Sequence, residues 1–234
     1  MKKFFLFTLL MLGFTPLFAQ SEDDDEIFSS SQIVPKPKSY GLYVGPRLGM
    51  TMTTMTQPRE CDLYDGVGIG LSGGAAVRLR LGNMSENSEG GTGLFAIGLD
   101  LKYKQNRVKT IGSDNLSLSY FEVPVVAQIY PLYKNVALNG FYIEVGVDLA
   151  GTLSKSPDIL TVFPNNLRYT QVAYHTGELK GFDCRIPIGV GYTFLPGFDV
   201  NLRYYIGTSN LAKNMACKMS SLEISLAWLF KVVK

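Results

Sequence analysis

Residues 66–82 divide into two interleaved sets. Val67, Ile69, Leu71, Gly73, Ala75, Val77, Leu79 and Leu81 occupy the odd positions, and Gly66, Gly68, Gly70, Ser72, Gly74, Ala76, Arg78 and Arg80 the even ones. A period of two is the mark of an extended strand with two unlike faces. The pattern returns over 41–50, 95–104, 120–129, 141–149, 183–192, 200–207 and 221–230. In each, an aliphatic or aromatic set alternates with a set holding the glycines, serines and charges. Leu222, Ile224, Leu226, Trp228 and Phe230, for instance, oppose Ser221, Glu223, Ser225 and Ala227. Eight such segments predict eight strands, and an even number suits a single-chain barrel of the bacterial outer membrane.

Their length selects among β architectures. Strands of soluble proteins have a mode of about 5–6 residues, whereas a tilted strand crossing a bilayer needs about 9–11. A charge facing hydrocarbon at mid-depth costs about 2–4 kcal/mol. Every strand charge falls on the glycine and serine side, so the apolar set is expected to face lipid and the charged set the interior. A soluble sandwich or lipocalin would reverse that sense. The prediction is an all-β, closed, eight-stranded antiparallel up-and-down transmembrane barrel over residues 40–234, with residues near 41–50 pairing residues near 221–230.

The start of the chain agrees with export. Lys2 and Lys3 precede an apolar stretch from Phe4 to Phe14, and Thr15 to Ala19 ends in a small residue before Gln20. That is the layout of a secretory signal peptide over residues 1–19. Gln20 stands where a lipoprotein would carry Cys. Residues 20–39, with the acidic run Glu22 to Glu26, Ser29-Ser30-Ser31, Pro35 and Pro37, read as a disordered periplasmic lead-in. Losing Lys2 and Lys3 leaves basic residues equal in number to the acidic ones, at 20. A nucleic-acid partner is not expected, since that needs a basic excess. No second long apolar run follows, so any spanning must be done by strands.

Eight strands enclose only enough room for side chains. The inward set contains Arg47, Arg78, Arg80, Lys102, Lys104, Arg185 and Arg203, with Asp100, Glu122, Glu144, Asp148, Asp183 and Glu223. Buried charges persist only when paired and hydrogen-bonded. The expectation is a lattice of ion pairs filling the lumen, with a charged translocation path as the alternative. Connections near 52–65, 105–115, 152–180 and 208–219 are the long ones, expected outside the cell, with the N-terminus in the periplasm. Those near 83–92, 131–139 and 194–198 are expected on the periplasmic side. Pro124 and Pro187 sit inside strands, where proline removes a ladder hydrogen bond, and irregular pairing is expected there.

Few residues offer catalytic or ligand chemistry. His175 is the single histidine, in a long outer connection together with Ser154 and Asp158, and reads as a surface residue. A rim-located lipid-modifying enzyme is the lesser alternative. Gly66-Val67-Gly68-Ile69-Gly70 continues as strand where a phosphate loop would open a helix. No catalytic residue, cofactor or metal is expected. Cys61, Cys184 and Cys217 have no metal-ligand spacing. Closure would place the loops of Cys61 and Cys217 on adjacent strands, so a disulfide between them is one expectation, if their Cα atoms fall within about 7 Å. Two free thiols are the other. Cys184 is expected to face lipid, unpaired.

Several segments resemble the PorT-like outer-membrane β-barrel family. Tyr120-Phe121-Glu122-Val123-Pro124 looks like its Tyr-Leu-Glu-Ile-Pro strand, and Phe141-Tyr142-Ile143-Glu144-Val145-Gly146 like the strand after it. Phe182-Asp183 with Gly189-Val190-Gly191-Tyr192, and Arg203-Tyr204-Tyr205-Ile206-Gly207 with Ser209-Asn210-Leu211, are similar to later segments in the same order. The likeness spans roughly residues 40–231. It departs at the end, where Lys231-Val232-Val233-Lys234 follows Phe230. The resemblance implies a scaffold typical of Bacteroidetes and carries over no catalytic residue. PorT itself is linked to type IX secretion, a role that family membership does not confer. The functional expectation is a non-enzymatic outer-membrane barrel with a structural, surface-interaction or secretion-accessory role. A small channel is the alternative. Its partners would be outer-membrane lipid and another envelope or secretion protein.

Overall fold

The computed structural model describes residues 40–56, 61–62, 64–81, 94–110, 115–132, 138–164, 172–194, 197–212 and 217–232. The expected signal peptide and lead-in lie outside the described residues. The alternating segments form β1 (Tyr40–Thr56), β3 (Tyr64–Leu81), β4 (Phe95–Thr110), β5 (Leu116–Ile129), β6 (Phe141–Ser156), β9 (Phe182–Phe194), β10 (Phe198–Gly207) and β11 (Lys218–Trp228). Each pairs antiparallel with its sequence neighbour in this set, and β1 pairs with β11 from Arg47↔Ala227 to Thr56↔Lys218. The sheet therefore closes on itself as an eight-stranded up-and-down barrel. The short β12 (Phe230–Lys231) continues the closing register, with Tyr43 opposite Lys231. A three-stranded sheet, order β2 (Cys61–Asp62), β7 (Ile159–Pro164) and β8 (Val172–His175), accompanies it.

Burial alternates as the sequence period requires. Along β4, even positions from Ala96 to Thr110 are buried and the odd ones mostly exposed. Exposed outward residues include Leu48, Ile69, Leu71, Ile97, Val145, Ile188, Leu202, Ile224 and Leu226. In water such a band would be a large unmet apolar surface; against lipid it is the lowest-energy one. Rings mark its edges. Tyr192, Phe194, Phe198, Trp228 and Phe230 form a run with neighbouring centroids 4.5–6.5 Å apart on the short-turn side. Tyr103, Phe121 and Tyr204 lie exposed toward the other end. Phe95 to Tyr103 spans about 26 Å along one strand, the order of the roughly 9–11 residues with which a tilted strand crosses a bilayer.

Several strands run further than their apolar alternation. Sequence places residues 52–56, 105–110 and 152–156 in connections, and the structure places them in strands. There the outward set turns polar, as at Gln105, Arg107 and Lys109, while the inward set stays buried at Asn106, Val108 and Thr110. The hydrogen-bonded ladder simply outruns the hydrocarbon.

The prolines act more mildly than a bulge. At Pro124 the β4–β5 pairing passes from Leu99↔Val125 to Lys102↔Glu122 with no change of register, and Pro124 still faces Asp148 on β6. At Pro187 the β6–β9 ladder skips from Val145↔Ile188 to Asp148↔Arg185 while Tyr205↔Pro187 is kept on the other side. Pro46, a third proline within a strand, interrupts closure between Val44↔Phe230 and Arg47↔Ala227 in the same way. One missing N–H opens one ladder locally. True register shifts fall elsewhere, in β3–β4 between Tyr64 and Ser72 and in β5–β6 at Ser119/Tyr120.

Candidate functional site

The side of the alternation that holds the glycines, serines and charges turns inward and brings its charges together in the lumen. Arg47, Arg78, Arg80, Asp100, Lys102, Lys104, Glu122, Glu144, Asp148, Arg185, Arg203 and Glu223 are all buried, and Asp183 lies at the edge of burial. Two networks form. The first runs Arg78–Asp199–Arg47–Asp100–Arg203–Glu144 with alternating sign. Its N···O distances are 2.9, 3.1, 3.0, 2.8 and 2.6 Å in that order. The second gathers Lys102 and Lys104 between Glu223 and Glu122. Lys102 Nζ is 2.6 Å from Glu223 Oε2, and Lys104 Nζ lies 3.5 Å from Glu223 and 3.6 Å from Glu122. Arg185 extends it, donating to Glu122 at 2.5 Å and to Asp183 at 2.7 Å.

Tyr205 joins the two networks. Its hydroxyl accepts from Lys102 Nζ at 2.6 Å and from Arg203 Nη1 at 3.1 Å, and Lys104 Nζ sits 3.5 Å from its ring centroid. Tyr142 plays the same part near the short-turn end. It accepts from Arg78 and Asn201 and donates to Asp199 at 3.0 Å. Gly191 makes room for it, since a Cβ there would lie 2.3 Å from the Tyr142 ring. Arg80 stacks on Tyr130 at 3.8 Å and donates to the Asn139 carbonyl.

These contacts cross the lumen. In the ring of eight, β4 lies opposite β10 and β3 opposite β9. Arg203 to Asp100 and Lys102 to Tyr205 each join β10 to β4 directly. Arg78 donates to Thr193 at 2.7 Å across the other diameter. The small void between Arg47, Arg78, Gly98, Val126 and Arg203 admits no water-sized sphere.

Two features are not evident from the sequence pattern. Asp199 is fully buried and holds both Arg47 and Arg78. It shares the parity of Asn201 and Arg203, but it stands one residue ahead of the alternation that begins at Val200. Toward the long loops the filling is apolar. Met55, Val108, Leu116, Leu118, Tyr120, Ala150, Leu179, Leu211, Ala212, Cys217 and Met219 form one buried cluster. Leu179, Leu211 and Ala212 come from connections, where no periodicity announces them. Both carboxylate oxygens of Asp148 are buried, and neither has a hydrogen-bond partner among the described residues.

The remaining candidates are placed plainly. His175 is exposed at the end of β8, and Ser154 and Asp158 are exposed as well. Cys184 is a free, half-buried thiol on the outward set. Cys217 is fully buried in the apolar cluster, whereas the side chain of Cys61 lies outside the described residues. Among the described residues no group of three His, Cys, Asp or Glu side chains is arranged to hold a metal ion.

A lipid-facing apolar wall closed around a paired-charge interior defines a small β-barrel of the bacterial outer membrane. The profile of the family described as outer membrane protein beta-barrel domain matches residues 18–213, and the chain belongs to that family. No curated protein matches it. Among solved structures it is similar to Neisserial surface protein A, at 12% identity and a TM-score of 0.45, covering 81% of this chain and 97% of that one. It is also similar to Ail of Yersinia pestis in complex with the heparin analogue sucrose octasulfate, at 11% identity and a TM-score of 0.39, covering 81% and 99%. A third is OprG of Pseudomonas aeruginosa, at 9% identity and a TM-score of 0.39, covering 83% and 98%. At that level of identity the likeness says nothing of what this chain does.

Proposed function

We propose that this chain is a plugged, non-enzymatic outer-membrane barrel whose long-loop end is an interaction platform at the cell surface. The observation that carries this reading is the direct contact of side chains from opposed strands: Arg203 with Asp100, Lys102 with Tyr205 and Arg78 with Thr193. A lumen crossed in that way has no continuous aqueous path, and its charges serve to fill it. The N-terminus is periplasmic and the connections after β1, β4, β6 and β10 face outward. The longest, between β6 and β9, carries β7, β8 and the Thr176–Glu178 turn, and loops on a rigid scaffold are where binding concentrates. Partners are the surrounding lipid and another envelope or secretion protein. A secretion-accessory role is one form of this reading.

The reading is tested with the purified monomer in planar bilayers. No steady conductance is expected, and a stable single-channel current would overturn the plug. Orientation is read by an epitope inserted after Gly177, where a methyl group added to the Cα would meet no other atom within 4 Å. Antibody binding on intact cells is expected; binding only after the outer membrane is opened reverses the orientation. An unchanged exported-protein profile on gene deletion would remove the secretion-accessory form and leave the platform standing.

A further inference from the structure

The outer wall is uneven. On β3 the outward positions shrink at Gly73 and Ala75, between Leu48 and Met50 of β1 and Tyr103 of β4. The result is a groove of about 710 Å³ in the lipid-facing surface, walled by Leu48, Met50, Leu71, Tyr103 and Ile224 and floored by Gly73. Its volume falls within the range of small-ligand sites, about 300–1,000 Å³. An ordinary barrel wall needs no such recess, because neighbouring aliphatic side chains would fill it.

Above the groove, toward the long loops, the outward side chains of the same strands become cationic and hydroxylic. Arg107 and Lys109 on β4 and Lys218 on β11 are exposed and outward, since their neighbours Asn106, Val108, Thr110, Cys217 and Met219 are buried. Thr54 and Thr56 on β1 stand between them, with Thr56 opposite Lys218 and Thr54 opposite Ser220. Arg107 is four residues beyond Tyr103, about 13 Å along the strand. The cations therefore sit at headgroup level when the groove sits in hydrocarbon.

We propose that this face is a lipid site for a phosphorylated glycolipid of the lipid A type, one acyl chain lying in the groove over Gly73 and its phosphates meeting Arg107, Lys109 and Lys218. The combination of an apolar recess with a cationic rim fits an amphiphile with several chains and more than one phosphate. A neutral lipid would leave the three cations unused. Arg presents a planar fork to phosphate and Lys a point charge. The proposal rests on the orientation given above, because it puts the cations in the outer leaflet.

The test uses the full chain in phosphatidylcholine nanodiscs doped with bis-phosphorylated lipid A, its dephosphorylated form or phosphatidylglycerol, with bound lipid counted by native mass spectrometry. Retention of phosphorylated lipid A is expected to exceed that of the dephosphorylated form by more than about tenfold. Near-surface cations each contribute about fivefold toward anionic lipid. The triple variant R107Q/K109Q/K218Q should lose that preference. Gly73→Leu, whose added side chain meets first the tip of Leu48, should lower retention of both lipid A forms. If Gly73→Leu fails to fold, Leu71→Ala, which shortens one groove wall, carries the same reading. Equal retention with and without phosphates, equal retention of phosphatidylglycerol, or no effect of altering the groove would each overturn the site. A periplasmic epitope at Gly177 together with phosphate-dependent retention would sink only the orientation.

Discussion

Arg203 reaches across the lumen to Asp100 and Glu144 and is almost wholly buried. Removing its guanidinium takes one cation from two buried carboxylates, leaving Asp100 to Arg47 and Glu144 to the neutral donors Asn201 and Gln128, and breaking a buried pair in this way costs about 3–5 kcal/mol. Arg203→Leu is therefore expected to lower stability by that amount in urea titrations of vesicle-inserted barrel followed by Trp228 fluorescence. A loss under about 1 kcal/mol would show that Arg47, Asn201 and Gln128 satisfy those carboxylates unaided. Asp148 should behave in the opposite way. Among the described residues neither of its oxygens has a donor, so Asp148→Asn gives up no described hydrogen bond and is expected to leave stability within about 1 kcal/mol. A loss above about 2 kcal/mol in the same titration would show that its charge is held by Arg185, its cross-strand partner. The inward position of both residues could be read from parity, but their different surroundings could not. Arg203 and Asp100 are 103 residues apart on opposed strands, and nothing local in the chain encodes which charge meets which. Asp199 shows the same limit: its parity was visible, its double pairing with Arg47 and Arg78 was not.

Within each strand the outward sequence decides where the bilayer lies. Val145 sits in the middle of the apolar run of β6 and is exposed to lipid. Val145→Arg is expected to cost about 2–4 kcal/mol, whereas Gln105→Arg, beyond Tyr103 on β4, should cost about 0–1 kcal/mol. Equal penalties at the two sites in vesicle refolding would contradict the depth assigned to the Tyr103 level. The existence and direction of all eight strands were legible because lipid on one side and a filled lumen on the other impose a period of two without exception at mid-depth. The strand ends were not legible. Past the hydrocarbon the outward residues turn polar, as at Thr54, Thr56 and Lys109, and the contrast between faces disappears while pairing continues. Pro46, Pro124 and Pro187 were harder still. Each removes a single donor, and only the neighbouring strand determines that the cost is one open rung with the register kept.

The lumen is filled at two levels, by charge at its middle and by an apolar cluster beneath the long loops, and the two fillings draw on different parts of the chain. The charged filling is made by strands. The apolar one depends on Leu179, Leu211 and Ala212, which reach in from connections. Its backbone bonds include Lys180 N–H to Leu211 C=O at 2.8 Å and Leu211 N–H to Cys217 C=O at 2.8 Å. A segment held by a small buried cluster opens more readily than the ladder below it. The double variant Leu179→Ala/Leu211→Ala removes apolar contacts that hold the β6–β9 connection down. Deleting buried leucine side chains costs about 2–5 kcal/mol apiece where the site cannot collapse, and that loss should fall on local opening of the loops. Limited proteolysis within residues 157–181 is expected to accelerate strongly, while the urea midpoint of the barrel moves little and planar-bilayer conductance stays absent. A conductance appearing in this variant would mean that the apolar cluster is the true barrier and that the Arg203–Asp100 level passes ions. A collapse of the urea midpoint would mean that loops and strands unfold as one unit, with the cluster acting as part of the wall.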